Sequence, residues 1–277
     1  MMPEAVCRPQ HAFTVDVEEW YHPLRFYKNT VFQEQARLDV GMDCLLGLLD
    51  ARGIRATFFW VAEVAAANPG LLRRLAAAGH EIGCHGLAHD RLVYDLTPDR
   101  FRVETTRALD MIADLTGHPI TAYRAPCFSI TARSLWALDI LADLGITVDS
   151  SIFPVHNWRY GIPEWPDGPQ RIGVNRSLWE VPMSTRSIAG YKIPAVGGAY
   201  FRLYPYWLTA ANLLHLEAKG QWAVFYIHPW ELDPAHPFVA FNWKACTTHY
   251  LGLSLTENRL RRLLSEFSFT TLGSLVT

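Results

Sequence analysis

The sequence predicts a single α/β domain in which parallel strands and crossover helices close into a barrel. Three observations lead there. Short apolar runs alternate with segments of helical periodicity along all 277 residues, with no linker-like break. Half of the residues are hydrophobic and 13% are aromatic, enough to fill one large core. Asp16, Glu18, His85, Arg124, Asp149 and His228 all fall at or just past the C-terminal end of an expected strand. In a parallel barrel those ends form one rim, where catalytic groups gather.

Residues 12–17 read as a first buried strand running into Glu18 and Glu19. Residues 33–51 place Leu38, Leu45, Leu48 and Leu49 at helical spacing and stop at Arg52-Gly53. A second strand covers 56–61, after which Asn68-Pro69 caps a helix carrying Leu71, Leu72 and Leu75 to Gly79. Beyond a strand at 81–84, Thr97-Pro98 opens a long helix with Phe101, Ala108, Leu109, Ile112 and Leu115 on its apolar face, closed by Gly117. A short strand at 121–124 follows, then a helix capped by Thr131 and ending at Gly145, then a strand at 146–150. From 153 to 176 the texture turns to Pro, Gly, Trp and Asn, a long surface loop that Trp158, Tyr160 and Trp165 help to order. Strands at 178–181, 222–227 and 267–271 and helices at 205–219 and 256–266 complete the chain.

Composition excludes several classes of partner. The formal net charge is −2 and no long block of like charges occurs, so a nucleic-acid backbone is not expected as a ligand. Cys7, Cys44, Cys84, Cys127 and Cys246 are odd in number, scattered and free of any C-x-x-C pair, which speaks against a disulfide framework or a structural zinc cluster. The first ten residues lack a basic start and an apolar run, and no stretch is long enough for a membrane span, so a soluble cytoplasmic protein is expected.

The chemistry centres on residues 79–90, Gly-His-Glu-Ile-Gly-Cys-His-Gly-Leu-Ala-His-Asp, which end a short strand in an H-x3-H pair, His85 and His89. On a helical turn that spacing puts both imidazoles on one face, close enough to share a metal ion. A hydrolytic zinc site needs about three protein ligands and an open position, so the pair wants a carboxylate from elsewhere. Phe13-Thr-Val-Asp-Val-Glu-Glu-Trp20 offers one. Glu18, His85 and His89 can then hold a divalent ion, most simply Zn²⁺, which lowers the pKa of a bound water and polarises a substrate carbonyl. Asp16 shares a strand face with Glu18 and suits a general base. Arg124 can fix Asp16 by a bidentate contact, His228 can protonate a departing amine, and Cys127 can lend a backbone N–H to the oxyanion. Taken singly, each has a bland reading as a strand cap, a surface ion pair or a loop histidine. Their order and shared placement at strand ends favour a metal-dependent amide hydrolase.

These residues resemble the motifs of the polysaccharide deacetylases of the NodB-homology type, carbohydrate esterase family four. The matches run in order: Thr14-Val-Asp16-Val-Glu18, His85-Gly-Leu-Ala-His89, Arg124-Ala-Pro126, Asp149-Ser-Ser151 and Ile227-His228. The resemblance implies a distorted (β/α) barrel of about seven strands, a divalent metal that is usually zinc, and removal of an N-acetyl group from an amino sugar. It also implies that Asp149 tunes His228. The sequence is more closely similar to the subgroup found beside exosortase and exopolysaccharide clusters and to allantoinase-like peptidoglycan deacetylases. Residues 197–207, 227–233, 249–251 and 259–264 carry that likeness. It implies one barrel domain over 1–277, with 229–277 a family-specific extension packed on it. Departures are Glu18 where most relatives have aspartate, with Glu19 beside it as an alternative ligand, the missing tryptophan close behind Asp149, and the partial match at His156-Asn-Trp-Arg-Tyr160. Tyr160 and Trp230 are the candidate substrate contacts, and the remaining histidines, His249 among them, are read as structural.

The expected function is removal of an N-acetyl group from an amino sugar in a polysaccharide or in its lipid- or nucleotide-linked precursor. A lipid-linked substrate would be met peripherally, and the sequence does not define an oligomeric state. The alternatives are a deformylase or deacetylase of a small amino-sugar intermediate, and a catalytically impaired carbohydrate-binding relative.

Overall fold

The computed structural model describes residues 9–27, 32–157, 159–173 and 177–276. Cys7, Trp158 and the last residues of the 153–176 loop lie outside them. The first strand, β1 (His11–Val17), is buried along its whole length, as its apolar run predicts. Then come α1 (Leu38–Asp50), β2 (Thr57–Trp60), α2 (Ala62–Ala67), α3 (Pro69–Ala77), β3 (Glu81–Cys84), α4 (Pro98–Thr116), β4 (Ala122–Tyr123), α5 (Trp136–Asp143) and β5 (Val148–Asp149). The second half holds β6 (Gln170–Ile172), β7 (Leu178–Glu180), β8 (Thr185–Ile188), β9 (Tyr191–Pro194), α6 (Gly198–Leu203), α7 (Tyr206–Glu217), β10 (Val224–Ile227), α8 (Trp243–Tyr250), α9 (Leu253–Glu266) and β11 (Phe269–Thr270).

Seven strands run parallel in the order β10-β1-β2-β3-β4-β5-β7, in agreement with the expected strand number. β6 adds to β7 antiparallel, and β11 pairs with the start of β1. Successive side chains of a strand point to opposite faces, and here each face has its own core. Phe13, Val15, Phe58, Trp60, Tyr123, Phe225 and Ile227 pack outwards against helical residues such as Leu45, Leu72 and Leu138. Ala12, Phe59, Ala122, Val148, Val224 and Tyr226 point inwards and meet Phe128 and Phe153, so the sheet is curled around a second apolar cluster. Its two ends, β7 and β10, share no backbone ladder among the described residues. Ser184 bridges them, its hydroxyl accepting from Val224 N at 2.8 Å and its carbonyl from Ala195 N at 3.0 Å. The result is an open, half-closed barrel.

Local chemistry explains the boundaries. Thr97 accepts from Arg100 N at 3.3 Å, Pro98 takes the first helical position, and Gly117 at φ 75° ends α4, as predicted. Three expectations need correction. α1 starts at Leu38, not at residue 33, because the Glu19 carboxylate accepts from Arg37 N and Leu38 N at 2.9 and 3.3 Å and caps the helix there. Asn68 and Pro69 do stand at the N-cap and first position of α3, but the Asn68 side chain makes no capping bond there; its amide donates to Val64 O at 2.9 Å and closes α2 instead. Thr131 is not the cap of α5, which begins at Trp136; the hydroxyl of Ser134 accepts from Thr131 N at 2.9 Å and holds the approach as a turn.

The β8–β9 hairpin is absent from the sequence expectation. Its two-residue turn, Ala189-Gly190, has φ of 50° and 83°, the doubly left-handed form that usually advertises itself by Asn-Gly. No helix among the described residues is long and apolar enough to cross a membrane.

Candidate active site

A cavity of about 570 Å³ opens at the C-terminal ends of the strands and is lined by Asp16, Glu18, His85, His89 and His228 together with aromatic walls. Glu18, His85 and His89 each offer a ligand atom, all lying within 4.8 Å of one another, and all three residues are buried. The histidines converge without a helix. His85 follows β3 directly, Gly86 takes φ 80° and His89 φ 50°, so the segment bends back on itself and brings the ring centroids to 5.3 Å. The helical turn expected for the pair is corrected accordingly: two residues in the left-handed region break it.

The donor set fits a divalent cation. His85 Nδ1 lies 2.8 Å from the carbonyl oxygen of Arg124, which can only accept, so Nδ1 carries the hydrogen and Nε2 keeps its lone pair for the site. Burial pushes His85 down to about 4 and keeps it neutral. Glu18 Oε2 lies 2.7 Å from His89 Nε2, yet this buried oxygen has no hydrogen-bond partner of good geometry. Burial works against the charge on Glu18, but His89, His228 and His22 outweigh it and hold the carboxyl well below the usual range. Burial likewise lowers His89, and Glu18 together with the Cys127 thiol more than reverses this, raising it to about 10. Glu18 is therefore built to sit beside positive charge. Its neighbour Glu19 faces the other way, into the start of α1.

Two further groups flank this cluster. Asp16 is buried and receives Arg124 Nη1 at 2.8 Å. The bidentate fork expected of Arg124 is not formed. Nη1 is shared with Thr14 Oγ1 at 2.8 Å, Nε and Nη2 go to Ser150 O and Oγ at 3.0 Å each, and the guanidinium lies 4.4 Å over the Phe59 ring. On the far side, His228 Nε2 stands 3.7 Å from Glu18 Oε1 and 4.0 Å from Asp16 Oδ2. Trp230 stacks on His228 at 5.2 Å and donates from Nε1 to Glu18 Oε1 at 3.2 Å. Burial lowers His228, but Glu231, Glu18 and Asp16 together raise it to about 9.

The remaining sequence candidates divide. Cys127 lines the cavity at φ 53°, a left-handed backbone in a non-glycine residue. Tyr160 lines it too, its hydroxyl 2.8 Å from that of Tyr200 and its ring stacked on Phe153. Asp149 does not reach the cavity. It is fully buried, accepts from Ser151 Oγ at 2.6 Å, and faces Glu180, its register partner on β7. Burial raises both carboxyls, so this pair is built to keep a proton.

Sequence reasoning missed Glu231, Arg202 and His249. Glu231 Oε1 lies 2.7 Å from His228 Nδ1, and Arg202 Nε lies 3.3 Å from Glu231 Oε2. The available signal was weak: an acid three residues beyond a histidine, across a proline. His249 also lines the cavity and stacks on Trp230 at 4.5 Å.

Comparison with known proteins places these residues on two family models. The polysaccharide deacetylase model matches residues 40–148, which include His85, His89 and Arg124. A domain of unknown function, DUF3473, matches residues 150–277, which include Arg202, His228 and Glu231. The chain is 23% identical over 116 residues to the peptidoglycan-N-acetylglucosamine deacetylase PgdA of Listeria monocytogenes, covering 42% of this chain and 23% of that one. It is 27% identical over 148 residues to a chitooligosaccharide deacetylase of a Bradyrhizobium species, covering 51% and 58%. The match thus spans about a quarter of the length of the first relative and somewhat over half of the second. Among solved structures, one from Mycobacterium smegmatis, provisionally assigned as a polysaccharide deacetylase, superposes with a TM-score of 0.60 at 20% identity over 95% of this chain and 94% of that one. At that identity the likeness concerns the fold.

Proposed function

The chain carries a polysaccharide deacetylase domain of the carbohydrate esterase family 4, NodB-homology type, and we propose that it is a metal-dependent N-deacetylase of an N-acetylated amino sugar. The observation that supports this most is the buried Glu18, His85 and His89 triad flanked by Asp16 on one side and His228 on the other. The proposed substrate is an N-acetylhexosamine unit of a polysaccharide or of its lipid- or nucleotide-linked precursor. The names of the peptidoglycan and chitooligosaccharide relatives and the aromatic walls of the cavity support that choice.

In this reading Glu18, His85 and His89 hold a divalent ion, with Zn²⁺ the best fit to two imidazoles and a carboxylate. The ion would supply Lewis acidity and a water of lowered pKa. Asp16, oriented by Arg124, takes the proton of the attacking water. The acetamide C–N bond breaks, acetate forms, and His228 gives its Nε2 proton to the departing nitrogen so that it leaves as a neutral amine. Trp230 fixes the plane of His228, and the Cys127 backbone N–H and Tyr160 are the proposed contacts to the oxyanion and the sugar.

The test is acetate release from N-acetylhexosamine oligomers by the purified protein, before and after chelation and after readdition of zinc. Release that is lost on chelation and restored by zinc is expected. Release indifferent to chelation would overturn the metal assignment. Product mass separates acetyl from formyl removal.

A further inference from the structure

We propose that Glu231 is the positioning residue of His228, holding its Nδ1–H so that Nε2 alone exchanges protons with the cleft, and that Arg202 locks Glu231 in place. The proposal deepens the deacetylase reading and rests on its assignment of His228.

The arrangement follows from a short turn. His228 ends β10 in extended backbone, φ −107° and ψ 146°, and Pro229 then opens a 3₁₀ turn over Pro229–Leu232. A 3₁₀ turn brings residues i and i+3 over one another, so Glu231 returns above His228, with Oε1 at 2.7 Å from Nδ1. Both groups are confined. Glu231 is fully buried, and Trp230 stacks on the imidazole at an interplanar angle of 24°.

Arg202 supplies the anchor. Its Nη1 and Nη2 donate to the carbonyls of Thr248, His249 and Leu251 at 2.6, 3.2 and 2.7 Å, and Nε faces Glu231 Oε2 at 3.3 Å. A guanidinium committed to three carbonyls cannot follow a moving carboxylate, so it pins Glu231 to the end of α8. A carboxylate at Nδ1 fixes the tautomer and stabilises the imidazolium. The proton that moves is then the one on Nε2, which faces Asp16 and Glu18. Asp149 does not compete for this role, being engaged with Ser151 and Glu180 away from the cavity.

The test compares Glu231→Gln with the wild type in the full chain on two substrates. N-acetylhexosamine oligomers release an amine that must be protonated, whereas 4-nitrophenyl acetate releases a phenolate that needs no proton. Loss of the positioning carboxylate should lower kcat for the amide about 100-fold, with KM within about twofold, and lower the ester rate by less than about threefold. Equal losses on both substrates, or none on either, would overturn the proposal. An independent readout uses the unaltered protein, so a variant that fails to fold leaves the question decidable. Imidazole ¹H–¹⁵N spectra should show His228 protonated at Nδ1, with a strongly downfield proton. A His228 protonated only at Nε2 in its neutral form sinks the proposal whether or not any acetyl sugar is hydrolysed, while a correct spectrum without hydrolysis counts against the deacetylase reading alone.

Discussion

Gly41, in the first turn of α1, packs so closely on Pro229 that a Cβ there would come within 1.9 Å of the Pro229 carbonyl oxygen. The helix thereby presses on the turn that joins His228 to Glu231. Gly41→Ala should therefore lose stability by roughly 1–2 kcal/mol, because overpacking exceeds the helix-propensity gain of about 1 kcal/mol. Its kcat should fall at least about tenfold as the turn shifts. Gly47 on the same helix meets nothing within 4 Å, and Gly47→Ala should stabilise by about 0.5–1 kcal/mol. Denaturant unfolding of the two variants checks the contrast, and equal effects would refute it.

Glu18 and Glu19 are adjacent yet serve different ends. Glu18→Gln should reduce zinc retained after dialysis by at least about tenfold, since it removes an anionic ligand. Glu19→Ala should retain zinc and cost about 1 kcal/mol of stability through the lost cap on Arg37 and Leu38. Metal analysis alongside unfolding separates them, and zinc loss in the Glu19 variant would reverse the assignment.

Asp16→Asn keeps the shape of the side chain and an oxygen for Arg124 Nη1, but it has no base. Turnover should drop by about 10³-fold with zinc content unchanged. A variant that also releases its zinc would place Asp16 among the ligands instead.

His11 is buried, accepts from Ala223 N at 3.1 Å through Nδ1, and is pushed down to about 4 by burial. Its folded pKa lies below the unfolded value of 6.5, so the unfolded chain takes up the proton first. The contribution is complete above pH 6.5 and is lost as pH falls towards 4, by about 3 kcal/mol at about 1.4 kcal/mol per pH unit. His11→Gln can still accept from Ala223 and should remove that component. The gap in unfolding free energy between variant and wild type, measured from pH 7 to 4.5, should move by one proton's slope. A constant gap would contradict the assignment.

What the sequence could reveal follows from the range over which each signal acts. The buried run of β1 and the Thr97 to Gly117 frame of α4 are written in neighbouring residues, and both were legible. Strand ends were legible too, which is why Asp16, Glu18, His85 and His228 could be gathered on one rim. The path of the chain between His85 and His89 was not, because it depends on left-handed backbone at His89 that no local signal announces. The Ala-Gly turn between β8 and β9 was hidden for the same reason. Arg124 could be tied to Asp16, but its division among Thr14, Asp16 and Ser150 requires the register of strands far apart in sequence. The resemblance pairs Asp149 with His228, and nothing near residue 149 corrects it, because the facing of β5 and β7 that commits Asp149 to Glu180 depends on strand register.

The first strand, β1, gains β10 as its neighbour on the side away from β2 only near the end of the chain: Thr14 donates to the carbonyl of Phe225, 211 positions later. During synthesis, then, the strand bearing Asp16 and Glu18 emerges long before the one bearing His228. The cleft can close only after residues 224–228 have been made, because so distant a pairing must wait for loop closure, and a chain that stops short of β10 possesses its base without its acid.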